Sequence, residues 1–142
     1  RERRYRNVGD PERRARYIST FENGVESHYV LEGIANYEKL FKGMERSLGH
    51  GKDWFLGDDY TLADISVTPY VARLHYLTLL DIWIEDRPLV AGWWERAKGR
   101  PSFDVAIGDA LTDDEKGDME NYGSRIRDRV RERREEYLSA YS

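Results

Sequence analysis

The amino-acid sequence predicts an all-α fold, and three observations lead to this prediction. Apolar residues recur at intervals of three and four in the longest segments, which is the spacing of one helix face. No segment shows the alternation of apolar and polar residues that is typical of a half-buried strand. The 142 residues include only 4 prolines, and 39% of them are hydrophobic. The chain therefore has enough apolar material for one core of ordinary size.

The first two helices are bounded by residues that favour helix ends. Asp10-Pro11 predicts a helix start, because Asp can accept hydrogen bonds from the first free N–H groups and Pro suits the first helical position. We expect this helix to extend to about residue 21 and to stop near Asn23-Gly24. A longer helix is predicted over residues 25–48, ended by Gly49.

A short motif predicts where the central helix begins. Thr61 and Asp64 have the spacing of a capping box, in which each side chain accepts a hydrogen bond from the backbone N–H of the other. Tyr60 and Ile65 have the spacing of a hydrophobic staple. No His or second acid is placed to titrate with Asp64 on the same helix face. We therefore predict a structural role for this motif and no catalytic residue.

The central helix is predicted to run to about residue 82 and to be apolar on most sides. Such a helix is expected in the middle of a bundle. Pro69, which lies inside it, removes one backbone hydrogen bond and is expected to bend it.

Three further helices are predicted in the second half of the chain. Arg87-Pro88 predicts a helix to residue 98, and Arg100-Pro101 predicts a short one to about residue 111. A charged helical tail follows over about residues 112–142, with a weak point near Tyr122-Gly123. No linker long enough to divide the chain is seen, so residues 1–142 are expected to form a single domain.

The composition argues against several classes of site and partner. The chain has no cysteine, so it has no disulfide, no thiolate metal ligand and no cysteine nucleophile. His28, His50 and His75 are far apart in sequence, so we predict no metal site. The net charge of −4 argues against a nucleic-acid partner, and no apolar run approaches the roughly 20 residues of a membrane span. We expect a cytoplasmic protein with neither kind of partner.

Two segments carry a family resemblance: residues 55–74 read "FLGDDYTLADISVTPYVARL" and residues 87–103 read "RPLVAGWWERAKGRPSF". They resemble the C-terminal helical domain of the glutathione transferase superfamily. That family shows a similar aromatic-Leu-x-Gly lead-in, a Ser/Thr-x-x-Asp box and a later Pro…Trp…Arg-Pro-x-Phe segment. The resemblance implies a bundle of five to six helices, and the alternative that its first helix is missing stays open. The start "DPERRARY" looks similar to the bacterial β-etherase-like branch.

The resemblance implies that this chain is the substrate-binding half of a two-domain enzyme. In the family, glutathione is held and activated mainly by an N-terminal thioredoxin-like domain, and nothing in this sequence corresponds to that domain. The chain is then expected to be the fragment that binds the electrophile and contacts other subunits, with no cofactor of its own. Its expected partners are the missing thioredoxin-like domain and a second copy of itself.

The parent protein is expected to use glutathione as co-substrate. It would conjugate glutathione to an aromatic or aryl-ether electrophile, or cleave that electrophile. The alternative is a non-catalytic module for protein–protein interaction, so the sequence leaves open whether the chain belongs to an enzyme.

Five residues are candidates for binding the electrophile. Tyr70, Arg73 and Tyr76 lie three apart on the predicted central helix, which can border the electrophile pocket in the resembling family. An arginine between two aromatic residues could hold an acidic or aromatic ligand. Tyr17 and Phe21 are further candidates near the end of the first helix. The alternative is that the tyrosine rings pack in the core and Arg73 pairs with a nearby acid.

Overall fold

The computed structural model describes residues 9–49 and 51–141, so His50 and both ends of the predicted domain lie outside the described residues. The described residues form seven α-helical segments and no strand, which confirms the all-α prediction. A 3₁₀ turn (Gly24–Glu26) and a π-helical turn (Asp104–Gly108) accompany them. The helices are α1 (Pro11–Asn23), α2 (His28–Leu48), α3 (Leu62–Tyr76), α4 (Asp81–Ile84), α5 (Pro88–Lys98), α6 (Pro101–Phe103) and α7 (Asp113–Tyr141).

Of the described residues, 9–37 and 128–141 form one compact unit. Helix α1 begins as predicted, because the Asp10 carboxylate accepts the backbone N–H of Glu12 at 2.9 Å. Helix α2 begins later than predicted, because residues 24–26 form the 3₁₀ turn. The φ of Gly24 is 53°, in the left-handed region that favours glycine and ends helices.

Ion pairs in this first unit join the end of α7 to the 3₁₀ turn. The guanidinium of Arg129 donates to both carboxylate oxygens of Glu26, at 2.7 and 2.9 Å. The hydrogen bond from Arg129 lowers the pKa of Glu26, and Glu26, Glu136 and Glu132 in turn raise the pKa of Arg129. Arg133 also donates to the carbonyl oxygen of Val25 at 2.6 Å. Arginines on one face of the charged helical tail therefore hold it against the 3₁₀ turn.

Residues Glu38–Arg127 form the second compact unit. Its helix α5 begins at Pro88, as predicted, and its first N–H groups are capped from α2, since the Glu45 carboxylate accepts from Leu89 at 3.2 Å and from Val90 at 2.9 Å. Apolar side chains from helices α2 to α6 and from the loops beside them fill the core: Phe41, Met44, Leu48, Trp54, Val71, Leu74, Leu79, Leu80, Ile82, Trp83, Val90, Trp93, Trp94, Ala97 and Phe103. No helix of the described residues is long and apolar enough to cross a membrane.

The central helix α3 begins at the predicted cap and ends before the predicted residue 82. The chain leaves the helix at Thr78, whose φ of 57° is rare for a β-branched residue. Helix α7 approaches the turn so closely that a Cβ on Gly123 would lie 1.8 Å from the carbonyl oxygen of Leu77. Arg127 of α7 donates to the carbonyl of Thr78 and to the Asp81 carboxylate. These contacts hold the chain in a turn where the sequence predicted more helix.

The expectation that α3 is buried on most sides is wrong. Its buried residues are Asp64, Thr68, Val71, Ala72 and Leu74. The opposite face carries apolar side chains that are exposed: Leu62 by 81%, Ile65 by 48% and Tyr70 by 61%. This outer face of α3 is thus far more apolar than a solvated helix face usually is.

Helix α7 is continuous through Tyr122-Gly123, where a weak point was predicted. Gly123 is buried against Leu77, so its missing side chain serves a close helix-to-turn contact and not a break. The predicted helix over 101–111 is also revised: α6 is only three residues long and continues as the π-helical turn. This turn and the start of α7 lie beside α3.

Candidate functional site

The carboxylate of Asp64 is fully buried at the start of α3. Its Oδ1 accepts the indole N–H of Trp93 at 2.9 Å and the backbone N–H of Phe55 at 3.2 Å. Its Oδ2 accepts from the backbone N–H and the hydroxyl of Thr61, at 3.0 and 3.1 Å. The Thr61 hydroxyl itself accepts the N–H of Ala63 at 3.3 Å. Both carboxylate oxygens thus join the preceding loop and α5 to α3, and neither faces solvent.

Tyr60 and Ile65, the residues of the predicted staple, lie in different environments. The Tyr60 ring lies edge-on to Trp54, with centroids 4.8 Å apart, and under the guanidinium of Arg100 at 4.2 Å. Its hydroxyl forms a hydrogen bond with Thr68 at 3.0 Å. Ile65 is nearly half exposed. A staple between Tyr60 and Ile65 stays a prediction.

A cleft of about 220 Å³ opens on one side of α3. One wall is the middle and end of α3, and the other is the π-helical turn with the residues that lead into α7. The lining is mostly small or apolar: Pro69, Ala72, Arg73, Tyr76, Ala106, Ile107, Ala110, Leu111 and Met119. Such a concave, apolar surface with few polar groups is the usual form of a small-molecule site.

The cleft brings together two of the five predicted binding residues. Arg73 and Tyr76 both line it. Tyr70 lies on the same helix with its ring mostly exposed, and it is not among the lining residues. Tyr17 and Phe21 belong to the first compact unit, where Tyr17 lines a different cleft and Phe21 is 58% exposed. Arg73 and Tyr76 are therefore the polar groups of the candidate site.

Arg73 is exposed at the edge of this cleft. Within residues 9–49 and 51–141, no carboxylate forms an ion pair with it, and its guanidinium donates no hydrogen bond. In contrast, Arg127 of α7, which also lies near the end of α3, is paired with Asp81. The Arg73 guanidinium is thus available to a ligand as far as the described part of the chain is concerned.

The second wall of the cleft was not foreseen from the sequence. Ala106, Ile107, Ala110 and Leu111 lie at spacings of three and four in the segment that continues α6, and Met119 follows in α7. Pairs of apolar residues four apart were a signal that one face of this segment is not solvated. The pattern alone does not tell which helix the face meets.

A second cleft, of about 370 Å³, lies near the end of α3 and includes His75. The ring of His75 lies 5.3 Å from that of Trp94. Partial burial lowers the pKa of His75, and the positive charge of Lys98 lowers it further. Lys98 is already paired with Glu95 at 2.9 Å. Lys98 and Arg127, two cations that line this cleft, both have acidic partners.

No group of three or more His, Cys, Asp or Glu residues that could hold a metal ion occurs among residues 9–49 and 51–141. His28 and His75 lie in different compact units, and His50 is outside the described residues. The prediction about metal is therefore not tested for the whole chain.

Comparison with known proteins supports the resemblance. The family model described as the C-terminal domain of glutathione S-transferase matches residues 11–96. Glutathione S-transferase F13 of Arabidopsis thaliana is 40% identical over 76 residues, which cover 52% of this chain and 33% of the relative. Tetrachloro-P-hydroquinone reductive dehalogenase of Sphingobium chlorophenolicum is 31% identical over 102 residues, which cover 68% of this chain and 41% of the relative.

A third relative, glutathione S-transferase TCHQD of Arabidopsis thaliana, is 33% identical over 70 residues, covering 49% of this chain and 26% of the relative. The chain thus spans less than half the length of each of these relatives. No solved structure matches it significantly. The family match includes the capped start of α3, Arg73, Tyr76 and most of α5. The chain belongs to the glutathione S-transferase family, and residues 11–96 correspond to the C-terminal domain of that family.

Proposed function

We propose that this chain provides the electrophile-binding wall of a glutathione transferase. The observation that carries the proposal is the apolar cleft on α3, with Arg73 and Tyr76 as its polar groups. Family membership supports it, because the helical half supplies one wall of the electrophile pocket in the resembling superfamily. In the same proposal, a thioredoxin-like domain binds and activates glutathione, the co-substrate, and packs beside the chain.

The proposed reaction is a nucleophilic displacement. The thiolate sulfur of glutathione attacks an electrophilic carbon, the C–S bond forms, and the leaving group departs with the bonding electron pair. The thiol proton is released to solvent. The rate gain comes from a lowered thiol pKa and from holding both reactants in contact. In this proposal the chain contributes to the second effect, since the described residues that line its cleft include no acid or histidine.

We further propose an aromatic electrophile, such as an aryl halide or an aryl ether of the kind used by the β-etherase-like branch. A cleft of about 220 Å³ suits a molecule with one ring. One relative is named for the reductive dehalogenation of a tetrachlorinated hydroquinone, which is a single-ring aromatic compound. We propose the cytoplasm as the location, because glutathione is the reducing thiol of that compartment.

The test is a ¹H–¹⁵N NMR titration of the chain with 4-nitroanisole, an unreactive aromatic ether. The amides of cleft residues in α3 and in 104–119 should shift, and glutathione alone at the same concentration should not shift them. Ala106→Phe places a ring in the cleft and should abolish the shifts. Shifts that lie elsewhere, or that survive Ala106→Phe, would contradict the proposed site.

The same chain should not catalyse conjugation by itself. With glutathione and 1-chloro-2,4-dinitrobenzene, the conjugate should form at the uncatalysed rate, because in this proposal the thioredoxin-like domain is what lowers the pKa of the thiol. The measurement is the absorbance of the conjugate against a blank without protein. A rate above the blank that scales with protein concentration would disprove the proposal that activation of the thiol requires the thioredoxin-like domain.

A second candidate function is a non-catalytic interaction module, and the outer face of α3 favours it. Leu62 and Ile65 are exposed apolar side chains on neighbouring turns of one helix face. Exposed apolar surface of this kind often marks a protein–protein interface. We propose that this face supports a homo-oligomer or covers the thioredoxin-like domain.

Self-association of the chain is therefore expected at high concentration. Light scattering should give a mass above that of one chain, and Leu62→Glu should return it to the mass of a monomer. The matched control is Leu56→Glu, which changes another exposed leucine, 70% exposed, in the loop before α3. A monomer at millimolar concentration would count against the homo-oligomer, and loss of association in both variants would count against α3 as its surface.

A further inference from the structure

We infer that the cleft on α3 selects apolar, ring-containing molecules that carry a negative charge, and that Arg73 is the residue that selects them. This inference rests on the proposed function, since it concerns the same cleft. It adds the charge of the ligand, which neither the family match nor the relatives' names specify.

The first argument is the charge of the lining. Among the described residues that line the cleft, Arg73 is the single charged side chain, and the rest are apolar apart from the Tyr76 hydroxyl. The described lining residues include no acid that would offset the charge of this guanidinium. The wall also lowers the local dielectric, which strengthens the attraction between a charge on the ligand and the guanidinium.

The second argument is the state of Arg73 itself. In the described parts of the chain, 9–49 and 51–141, it has no carboxylate partner, whereas Arg87 is paired with Glu38 and Arg127 with Asp81. A guanidinium presents several N–H donors in a plane, and this geometry matches a carboxylate or another oxyanion in a two-bonded contact. An anionic ligand would use donors that are otherwise exposed to water.

The third argument is the position of the apolar wall. Ala106, Ile107, Leu111 and Met119 lie beyond the residues that match the family model. They form the wall of the cleft that lies opposite α3, the helix that carries Arg73. A ligand that contacts both walls places its ring against these apolar residues. Its charged group then lies at the rim of the cleft, beside Arg73 and Tyr76.

The test compares two ligands of nearly the same shape, 4-chlorobenzoate and 4-chlorobenzamide, of which only the first is charged at neutral pH. Both are titrated into the chain and followed by NMR shifts of the cleft amides. Because Arg73 is exposed, the carboxylate should bind about two- to fivefold more tightly than the amide, the range of an exposed ion pair. Arg73→Gln should remove this preference, and so should high salt.

The control variant is Arg46→Gln, which removes the same charge from an exposed position on α2 away from the lining residues. It should leave the preference unchanged. Arg73→Gln is not expected to unfold the chain, since no described contact depends on its guanidinium; a circular dichroism spectrum checks this.

The outcomes separate the two proposals. If both ligands shift the cleft amides equally, or Arg73→Gln keeps the preference, the charge selection is wrong and the cleft still stands as the ligand site. If neither ligand binds, or Ala106→Phe leaves binding unchanged, the cleft itself is wrong, and with it the proposed function.

Discussion

The Gly123→Ala variant should be less stable than the unaltered chain by about 3 kcal/mol or more. The added Cβ would lie 1.8 Å from the carbonyl oxygen of Leu77, 2.6 Å from its carbonyl carbon and 2.9 Å from its Cα. These are backbone atoms, so no side chain can rotate to make room. Overpacking of a well-packed site usually costs about 1–3 kcal/mol, and backbone must move here. Urea unfolding followed by circular dichroism gives the free energy of unfolding.

The matched control is Gly117→Ala in the same helix. A Cβ at this position meets nothing within 4 Å, and alanine is about 1 kcal/mol better than glycine inside a helix. Gly117→Ala should therefore stabilise the chain slightly while Gly123→Ala destabilises it strongly. If the two variants had the same stability, α7 would not pack against the turn after α3 as closely as the structure shows.

The Gly123 contact also matters for the cleft. Leu77 directly follows Tyr76, and Met119 lies one helical turn before Gly123, so both cleft walls meet near this contact. The turn is further held by the Thr78 hydroxyl, which lies 3.3 Å from that of Ser124. Thr78 has an unfavourable φ, and such a conformation costs about 1–3 kcal/mol and persists only where the surroundings impose it. The close approach of α7 is what imposes it.

The helix starts were predictable because they depend on neighbours in sequence. Asp10-Pro11, Thr61 and Pro88 each mark a start that the structure shows. The end of α3 was not predictable, because it depends on Gly123 and Arg127, which are about 50 residues away in sequence. Apolar residues after Tyr76 continue the helical spacing, so only this distant contact distinguishes a turn from more helix.

In the candidate site too, the part formed by neighbours in sequence was predictable and the part formed by distant residues was not. Arg73 and Tyr76 were identified because they share one face of a single helix, which the sequence shows directly. Their partner wall was missed, because the meeting of Ile107 and Met119 with α3 is a tertiary contact. Tyr70 was placed with them by spacing, but the structure leaves its ring mostly exposed.

Replacing Asp64 by alanine should cost about 4 kcal/mol or more of unfolding free energy. The N–H groups of Trp93, Phe55 and Thr61 would lose their acceptor, two of them to Oδ1 and one to Oδ2. Each buried donor left without a partner costs about 1–3 kcal/mol. Thr61→Ala removes a smaller part of the same arrangement and should cost about 0.5–2 kcal/mol. Urea unfolding measures both, and the ¹H–¹⁵N signal of the Trp93 indole N–H reports on the lost contact.

The exposed residue Asp59 supplies the control, since Asp59→Ala removes a carboxylate from the same loop without burying a donor. Its stability should stay within about 0.5 kcal/mol of the unaltered chain. If Asp64 were kept for catalysis, Asp64→Ala would be at least as stable as Asp59→Ala. Active-site charges are commonly retained at the expense of stability, so removing them often stabilises the fold. An Asp64→Ala chain as stable as Asp59→Ala would therefore reopen a catalytic role for Asp64. A large loss assigns the Asp64 carboxylate to holding α3, α5 and the preceding loop together.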